Sequence, residues 1–314
     1  MAARITVVVT GANTGLGAAI VRRLSQSDTY HLVATARGKK VEALREQFKE
    51  KSHVQVFELD LVDPSSRDRF VSSVLQTCPP VDVLINNAGI SFRGVVEQME
   101  RDEETLQFET NYFGPLSIIR GLLPSMRKRY RGKIINISSV SGMMAMPTMG
   151  SYSASKFALE GASEALWYEL KPWNISVSLI QLGFIKSQSY QNVYWSRQAK
   201  RSQDHPEDDY HVYYSNMSAF IARLMTRSRA TPEKIACGIE NLIQDPSPPL
   251  RVPLTFDAHL FFWIRRLLPR WLYHKILYRN LPSVSSWEQL AVSRVNRNKL
   301  KGKQEESGCA VRER

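Results

Sequence analysis

The sequence predicts an α/β fold in which buried parallel strands alternate with helices. Short β-branched, apolar runs recur along the chain, as strands covered on both faces require, and stretches of helical character separate them. The first run passes straight into a glycine-rich turn and a helix. That context suits a phosphate-bearing ligand, because glycine lets the backbone approach closely and a helix N-terminus attracts anions.

Taken in order, Ile5-Thr6-Val7-Val8-Val9-Thr10 is the first strand, Gly11 to Gly17 the turn, and Ala18 to Leu24 the first helix. His31 to Arg37 reads as the second strand and its exit, and Val54 to Leu61 as the third, with Asp60 at its carboxyl end. Asp60 is also a candidate cap for a helix starting near Pro64. Val81 to Ile85 forms the fourth strand and delivers Asn86-Asn87-Ala88-Gly89. A long helical stretch follows from Glu100 to Arg127, and Gly114-Pro115 and Pro124 should bend or break it. Asn111 lies within that stretch, where its helix propensity is poor. Lys133 to Ser138 is the fifth strand, Ser151 to about Lys171 a helix, and Ile175 to Gln181 the sixth strand. Thr231-Pro232-Glu233 carries the signals of a helix start, and Val252-Pro253-Leu254 approximates the last strand.

The candidate chemistry lies at the end of the fifth strand. Ser139 stands there, Tyr152 follows thirteen residues later, and Lys156 four residues after that. A tyrosine and a lysine at that spacing share one helix face. An ordinary phenol, with a pKa of about 10, is a poor base at neutral pH; a nearby cation favours the phenolate. A serine hydroxyl can then bind the oxygen that gains or loses the proton.

Thr10-Gly11-x-x-x-Gly15-x-Gly17, Asn86-Asn87-Ala88-Gly89, Asn111, Ser139, Tyr152 and Lys156 occur together in one order and spacing. In this the chain resembles the classical short-chain dehydrogenase/reductase family over roughly residues 4 to 250. The resemblance implies a Rossmann-type, doubly wound, mostly parallel seven-stranded sheet with helices on both faces, binding a nicotinamide cofactor. It implies cofactor contacts from Gly11, Asn13, Thr14, Gly15, Leu16 and Gly17, from Arg37, Asp60 and Leu61, and from Asn87, Ala88 and Gly89. Tyr152, Lys156, Gly183, Ile185 and Ser187 complete that set. Catalysis would fall to Asn111, Ser139, Tyr152 and Lys156, with Asn111 holding a water in a proton relay. Arg37, where NAD-binding chains carry an acid, suits the 2′-phosphate and makes NADP(H) the expected cofactor, with NAD(H) the alternative. Leu182 departs from the pattern by replacing a proline, whereas Gly183 is kept and Ser187 supplies a hydroxyl.

The expected organisation is a domain over residues 1–255, with a substrate lid at about 187–235, an aromatic and basic extension over 256–295, and a disordered tail from 296. Tyr190, Tyr194, Trp195, Tyr210, Tyr213, Tyr214 and Phe220 either wall the substrate pocket or only pack on the body. A lipophilic carbonyl or alcohol, such as a steroid or retinoid, fits the first reading. Residues 256–281 mix Trp263, Trp271 and leucines with arginines, which suits either contact with an anionic membrane surface or an arm over the pocket.

Composition bounds the rest. At 314 residues, with 43% hydrophobic and 23% charged residues, the chain can form one large α/β domain. Three cysteines without ligand spacing predict neither disulfides nor a metal site. The first strand begins too early for a signal peptide, and no apolar run approaches the ~18 residues of a spanning helix, so a cytoplasmic protein is expected, alone or at a membrane surface. The net charge of +12 calls for an anionic partner, but no nucleic-acid motif accompanies it and nucleic-acid binding is not expected. Small residues on the helix after Ser151 suit a homodimer or ordinary burial. A nucleotide-sensing protein of the same fold without catalysis is the alternative function.

Overall fold

The computed structural model describes residues 4–186 and 193–289. Strands β1 (Ile5–Val9), β2 (Tyr30–Ala36), β3 (Val54–Glu58), β4 (Val83–Asn86), β5 (Phe92–Arg93), β6 (Gly132–Ile137), β7 (Ile175–Gln181), β8 (Tyr194–Trp195) and β9 (Arg251–Pro253) follow one another along it. Seven of them form one sheet in the order β3-β2-β1-β4-β6-β7-β9, all parallel, and β5 pairs with β8 in a second. The order reverses between β1 and β4, with Val9 opposite Ala34 on one side and Ile85 on the other. The carboxyl ends of the strands at such a reversal leave a crevice.

Alternation along each strand feeds two cores. Val7 and Val9 pack on one face of the sheet with Ile20 and Leu24 of α1 (Gly15–Leu24), while Val8 faces the other. Helix α2 (Lys40–Gln47) adds Val41 and Leu44 to the first face, and Phe70 of α3 (Pro64–Thr77) fills the second. Asp63, not Asp60, caps α3: its carboxylate accepts from the Ser65 N–H at 2.9 Å. Asp60 instead accepts from the Val62 N–H at 3.0 Å in a local turn.

The long helical stretch resolves into α4 (Arg101–Phe108), a π-helical turn Glu109–Phe113, and α5 (Gly114–Lys128). The expected disturbance at Gly114-Pro115 therefore takes the form of an extra-wide turn just before it, whereas Pro124 sits inside α5 without ending it. Helix α6 (Gly150–Leu170) carries Tyr152 and Lys156 in its first turns. Its outer face leaves Phe157 and Tyr168 exposed, with the Arg265 guanidinium 5.2 Å from the Phe157 ring centroid.

Beyond β7, α7 (Arg197–Asp204) packs on α8 (His211–Arg227), which brings Ile221 and Met225 to the crevice. In α9 (Pro232–Gln244) the Thr231 cap accepts from the Lys234 N–H at 3.4 Å, and Ile235 and Ile239 return to the first core. Pro269 separates α10 (Phe256–Leu267) from α11 (Arg270–Arg279). No described helix is long and apolar enough to cross a membrane. Ser187, Tyr190 and the tail from 296 lie outside the described residues.

Candidate active site

The glycine turn is built by steric necessity. Gly11 has φ +67, and a Cβ there would stand 2.9 Å from the Ala88 Cβ. At Gly17 a Cβ would fall 2.2 Å from the Gly11 carbonyl oxygen and 2.5 Å from Asn87 Nδ2. The Asn87 amide donates to the carbonyls of Thr10 (2.9 Å) and Gly11 (3.1 Å), while the Thr10 hydroxyl accepts from the N–H groups of Asn87 (3.0 Å) and Ala88 (3.1 Å). The ends of β1 and β4 are thus latched to each other, leaving the N-terminus of α1 facing the crevice.

That crevice is a cavity of about 750 Å³. Gly11, Asn13, Thr14, Gly15 and Leu16 line it, as do Arg37, Asp60 and Leu61, Asn87, Ala88 and Gly89, then Ser139, Tyr152 and Lys156, and finally Gly183 and Ile185. Gly17 lies behind the turn, buried against Asn87. Asn111 also stands behind the wall, and Ser187 falls outside the described residues. Arg37 is exposed, its guanidinium 3.9 Å from the Asp60 carboxylate, and Lys40 joins it on the rim.

At the far end stand the acid–base groups. Ser139 follows the end of β6 in extended backbone, and its Oγ accepts from the Ser141 N–H at 3.1 Å. The Lys156 ammonium donates to the Ile137 carbonyl at 2.9 Å and lies 5.9 Å from the Tyr152 ring centroid. Burial pulls that ammonium down to about 8 against the opposing pull of Glu160. Burial pushes the Tyr152 phenol up, while the Ser139 hydroxyl and the Arg93 guanidinium hold it back. Arg93 is a second cation beside the phenol, in addition to Lys156 on the helix face that the spacing predicts.

Asn111 is buried in the π-helical turn, where it bonds both backbone groups of Ile90, accepting from N–H and donating to C=O at 2.9 Å each, and donates to Ser155 Oγ at 3.0 Å. A Cβ built on Gly89 would stand 3.2 Å from Asn111 Oδ1 and 3.7 Å from Lys156 Nζ. Asn111 and Lys156 therefore converge on the Gly89 backbone from two helices, and the wide turn is what brings Asn111 inward.

Several neighbours went unread in the sequence. Glu160, one helical turn after Lys156, is buried and accepts from Ser138 Oγ (2.9 Å) and from Gln181 (2.9 Å). Its spacing from Lys156 was a usable signal. Thr255 and Asp257 at the start of α10 accept from the N–H groups of Gly183 (2.9 Å) and Phe184 (2.6 Å). Those bonds hold the loop whose first residue is Leu182. Arg93 lines the cavity from β5. Among the described aromatics expected at the substrate end, Tyr194 alone reaches the cavity. Tyr214 is buried in the body, donating to Gln98 Oε1 at 2.5 Å, and Tyr213 stacks on Trp287 at 4.3 Å. The apolar walls come instead from Met146, Met149, Phe184, Ile221 and Met225.

A family model described as short chain dehydrogenase matches residues 5–197. The chain belongs to this family. It is 33% identical over 245 residues to the 3-ketodihydrosphingosine reductase of Bacteroides thetaiotaomicron, covering 78% of this chain and 86% of that protein. A solved short-chain dehydrogenase from Streptomyces avermitilis superposes with a TM-score of 0.71 at 29% identity, over 92% of this chain and 99% of that one. A metagenomic short-chain oxidoreductase solved in complex with NADP gives 0.61 at 26% identity, over 79% and 95%. As a short-chain dehydrogenase the protein is an NAD(P)-dependent oxidoreductase, on the doubly wound sheet that the sequence predicts.

Proposed function

We propose that the enzyme transfers hydride between NADP(H) and a carbonyl/alcohol pair on a lipophilic substrate. The observation that carries this reading is the continuity of one cavity from the glycine turn to Ser139, Tyr152 and Lys156. In the reducing direction the Tyr152 hydroxyl gives its proton to the carbonyl oxygen of a substrate whose carbonyl carbon would take hydride from NADPH held in the cavity. NADPH, a proton and the carbonyl become NADP⁺ and the alcohol. Ser139 donates a hydrogen bond to the same oxygen, where charge develops. Lys156 holds the ribose and restores the phenol's proton by way of Asn111 and solvent. Arg37 and Lys40 on the rim favour a 2′-phosphate, in keeping with the NADP-bound relative. The methionine-rich walls and the ketone-reducing relative support an apolar substrate.

The test is cofactor oxidation by purified protein against a panel of lipophilic carbonyls, with NADPH and NADH compared. Turnover with NADPH that disappears in Tyr152→Phe, while the variant still binds NADPH, is the expected result. Retained turnover in that variant removes Tyr152 from the chemistry. Cofactor binding without turnover of any carbonyl or matching alcohol moves the reading to a nucleotide sensor.

The same reading extends to a lipid surface. Phe256, Leu260, Trp263, Leu267, Trp271 and Tyr278 are exposed on α10 and α11 beside Arg265, Arg266, Lys275 and Arg279. Exposed rings among cations suit the headgroup region of an anionic bilayer, from which a lipophilic substrate would be drawn.

A further inference from the structure

Arg93 closes the substrate end of the cavity on a strand held from both sides. Its carbonyl accepts from the Ser196 N–H at 2.9 Å, and the next residue, Gly94, donates to the Thr148 carbonyl at 2.9 Å. A Cβ on Gly94 would lie 2.7 Å from Met99 Sδ and 2.9 Å from Ser196 Oγ, so this backbone has little room to shift. The guanidinium lines the cavity with Tyr152, Met146, Met149 and Met225. The side chain is half-buried on the cavity wall, and that burial pulls the guanidinium down to about 10, opposed among the described residues by the Tyr152 phenol. Among the described residues no carboxylate acts on the guanidinium, and the chain from Gly183 to Gln203 contains neither Asp nor Glu.

Withdrawing a cation from water is costly unless an anion and hydrogen bonds replace the solvent. A guanidinium offers a planar fork that matches carboxylate or phosphate oxygens two at a time. The anion sites proposed for the cofactor, at the glycine turn and at Arg37, lie at the opposite end of the cavity. We propose that Arg93 binds an oxyanion of the substrate itself, a carboxylate or a phosphate ester on an otherwise apolar carbonyl compound. Because Arg93 and Tyr152 line one cavity, the acidic group belongs at the same end of the substrate as the reacting carbon. The methionines take the alkyl remainder. A long-chain base, cationic through its amine, meets a like charge and is disfavoured. This inference rests on the reductase reading for its chemistry, but its binding test does not.

The test has two arms, both on the full chain, the first with NADP⁺ bound and the second with NADPH supplied. In the first, decanoate, decyl phosphate, decanol and decylamine are titrated into the NADP⁺ complexes of wild type, Arg93→Gln and Arg93→Lys, followed by calorimetry. Wild type should bind decanoate or decyl phosphate at least tenfold more tightly than decanol, and decylamine most weakly. Arg93→Gln should erase the anion's advantage and Arg93→Lys should keep part of it. Whichever anion binds better identifies the source. Equal affinities across the four probes, or an anion preference that survives in Arg93→Gln, overturns the proposal. In the second arm, the kcat/KM ratio of 4-oxodecanoate to its methyl ester is expected to exceed ten in wild type and to fall toward one in Arg93→Gln. Anion selectivity in binding without turnover of either ketone would retain Arg93's role and count against the reductase reading alone.

Discussion

Lys156 keeps its charge against burial, and this fixes a pH dependence. Its folded pKa of about 8 lies below the ordinary 10.5. Below about 8 the ammonium is charged in both states and the full burial penalty applies. Between 8 and 10.5 the unfolded chain binds more protons than the native one, so stability from this group rises with pH. Lys156→Met should therefore stabilise the ligand-free fold at neutral pH by about 1–3 kcal/mol, an advantage that shrinks toward about pH 10. Urea unfolding at the two pH values is the check, and an advantage independent of pH would place its cause elsewhere. Ser139 answers to kinetics instead. Ser139→Ala removes a donor to the reacting oxygen and should lower kcat about 10²–10³-fold; a loss below about tenfold would deny Ser139 that role.

Two elements depend on contacts made far along the chain. The π-helical turn holds Asn111 by three side-chain hydrogen bonds, to the N–H and C=O of Ile90 and to Ser155. Asn111→Ala leaves the Ile90 N–H without its partner, while the Ile90 carbonyl still accepts from Gln107 Nε2 at 2.6 Å, and should cost about 1–2 kcal/mol, read as a shifted denaturation midpoint. The loop at Gly183–Phe184 hangs on Thr255 and Asp257 of α10. Asp257→Ala should weaken NADPH binding several-fold, with a smaller loss of stability; unchanged cofactor affinity would leave the link purely structural. The strands were legible in the sequence because β-branched runs buried on both faces have few other homes, and the glycine turn because its spacing is stereochemically demanding. Arg93 was not, since its place in the cavity depends on β5 pairing with β8, two residues each, distant in sequence. The split of the helix at Glu109–Phe113 was legible only as a disturbance near Gly114-Pro115, because an added residue in one turn leaves no periodic signature. The two readings left open for the aromatics after β7 divide among them: Tyr214 and Tyr213 find partners in the body, Tyr194 reaches the cavity, and the methionines of the α6 approach and α8 supply much of its wall.

On the scale of the molecule, charge and exposed aromatics coincide in α10 and α11. With a net charge of +12, the protein should co-sediment with phosphatidylserine vesicles at low ionic strength and less at high salt. Neutral phosphatidylcholine vesicles should retain less, and replacing Trp263 and Trp271 by Ser should abolish the difference. Binding that ignores lipid charge and both tryptophans would leave these helices with another role. The sequence placed a boundary at residue 255, yet α10 packs Ala258, Phe261 and Phe262 against Val140 and Met143, next to Ser139. Helix α10 thus packs on the body of the molecule.

The contact of Asp257 with Phe184 also sets an order of assembly on the ribosome. The glycine turn, Ser139, Tyr152 and Lys156 have all been synthesised well before the residues that fasten the Gly183–Phe184 loop. During translation the nascent chain holds its catalytic groups while one side of its cofactor cleft still lacks its final tether. A gene fragment ending at the family match, at residue 197, would encode the chemistry without the last sheet strand β9 or that tether. Expression trials should therefore extend past α10.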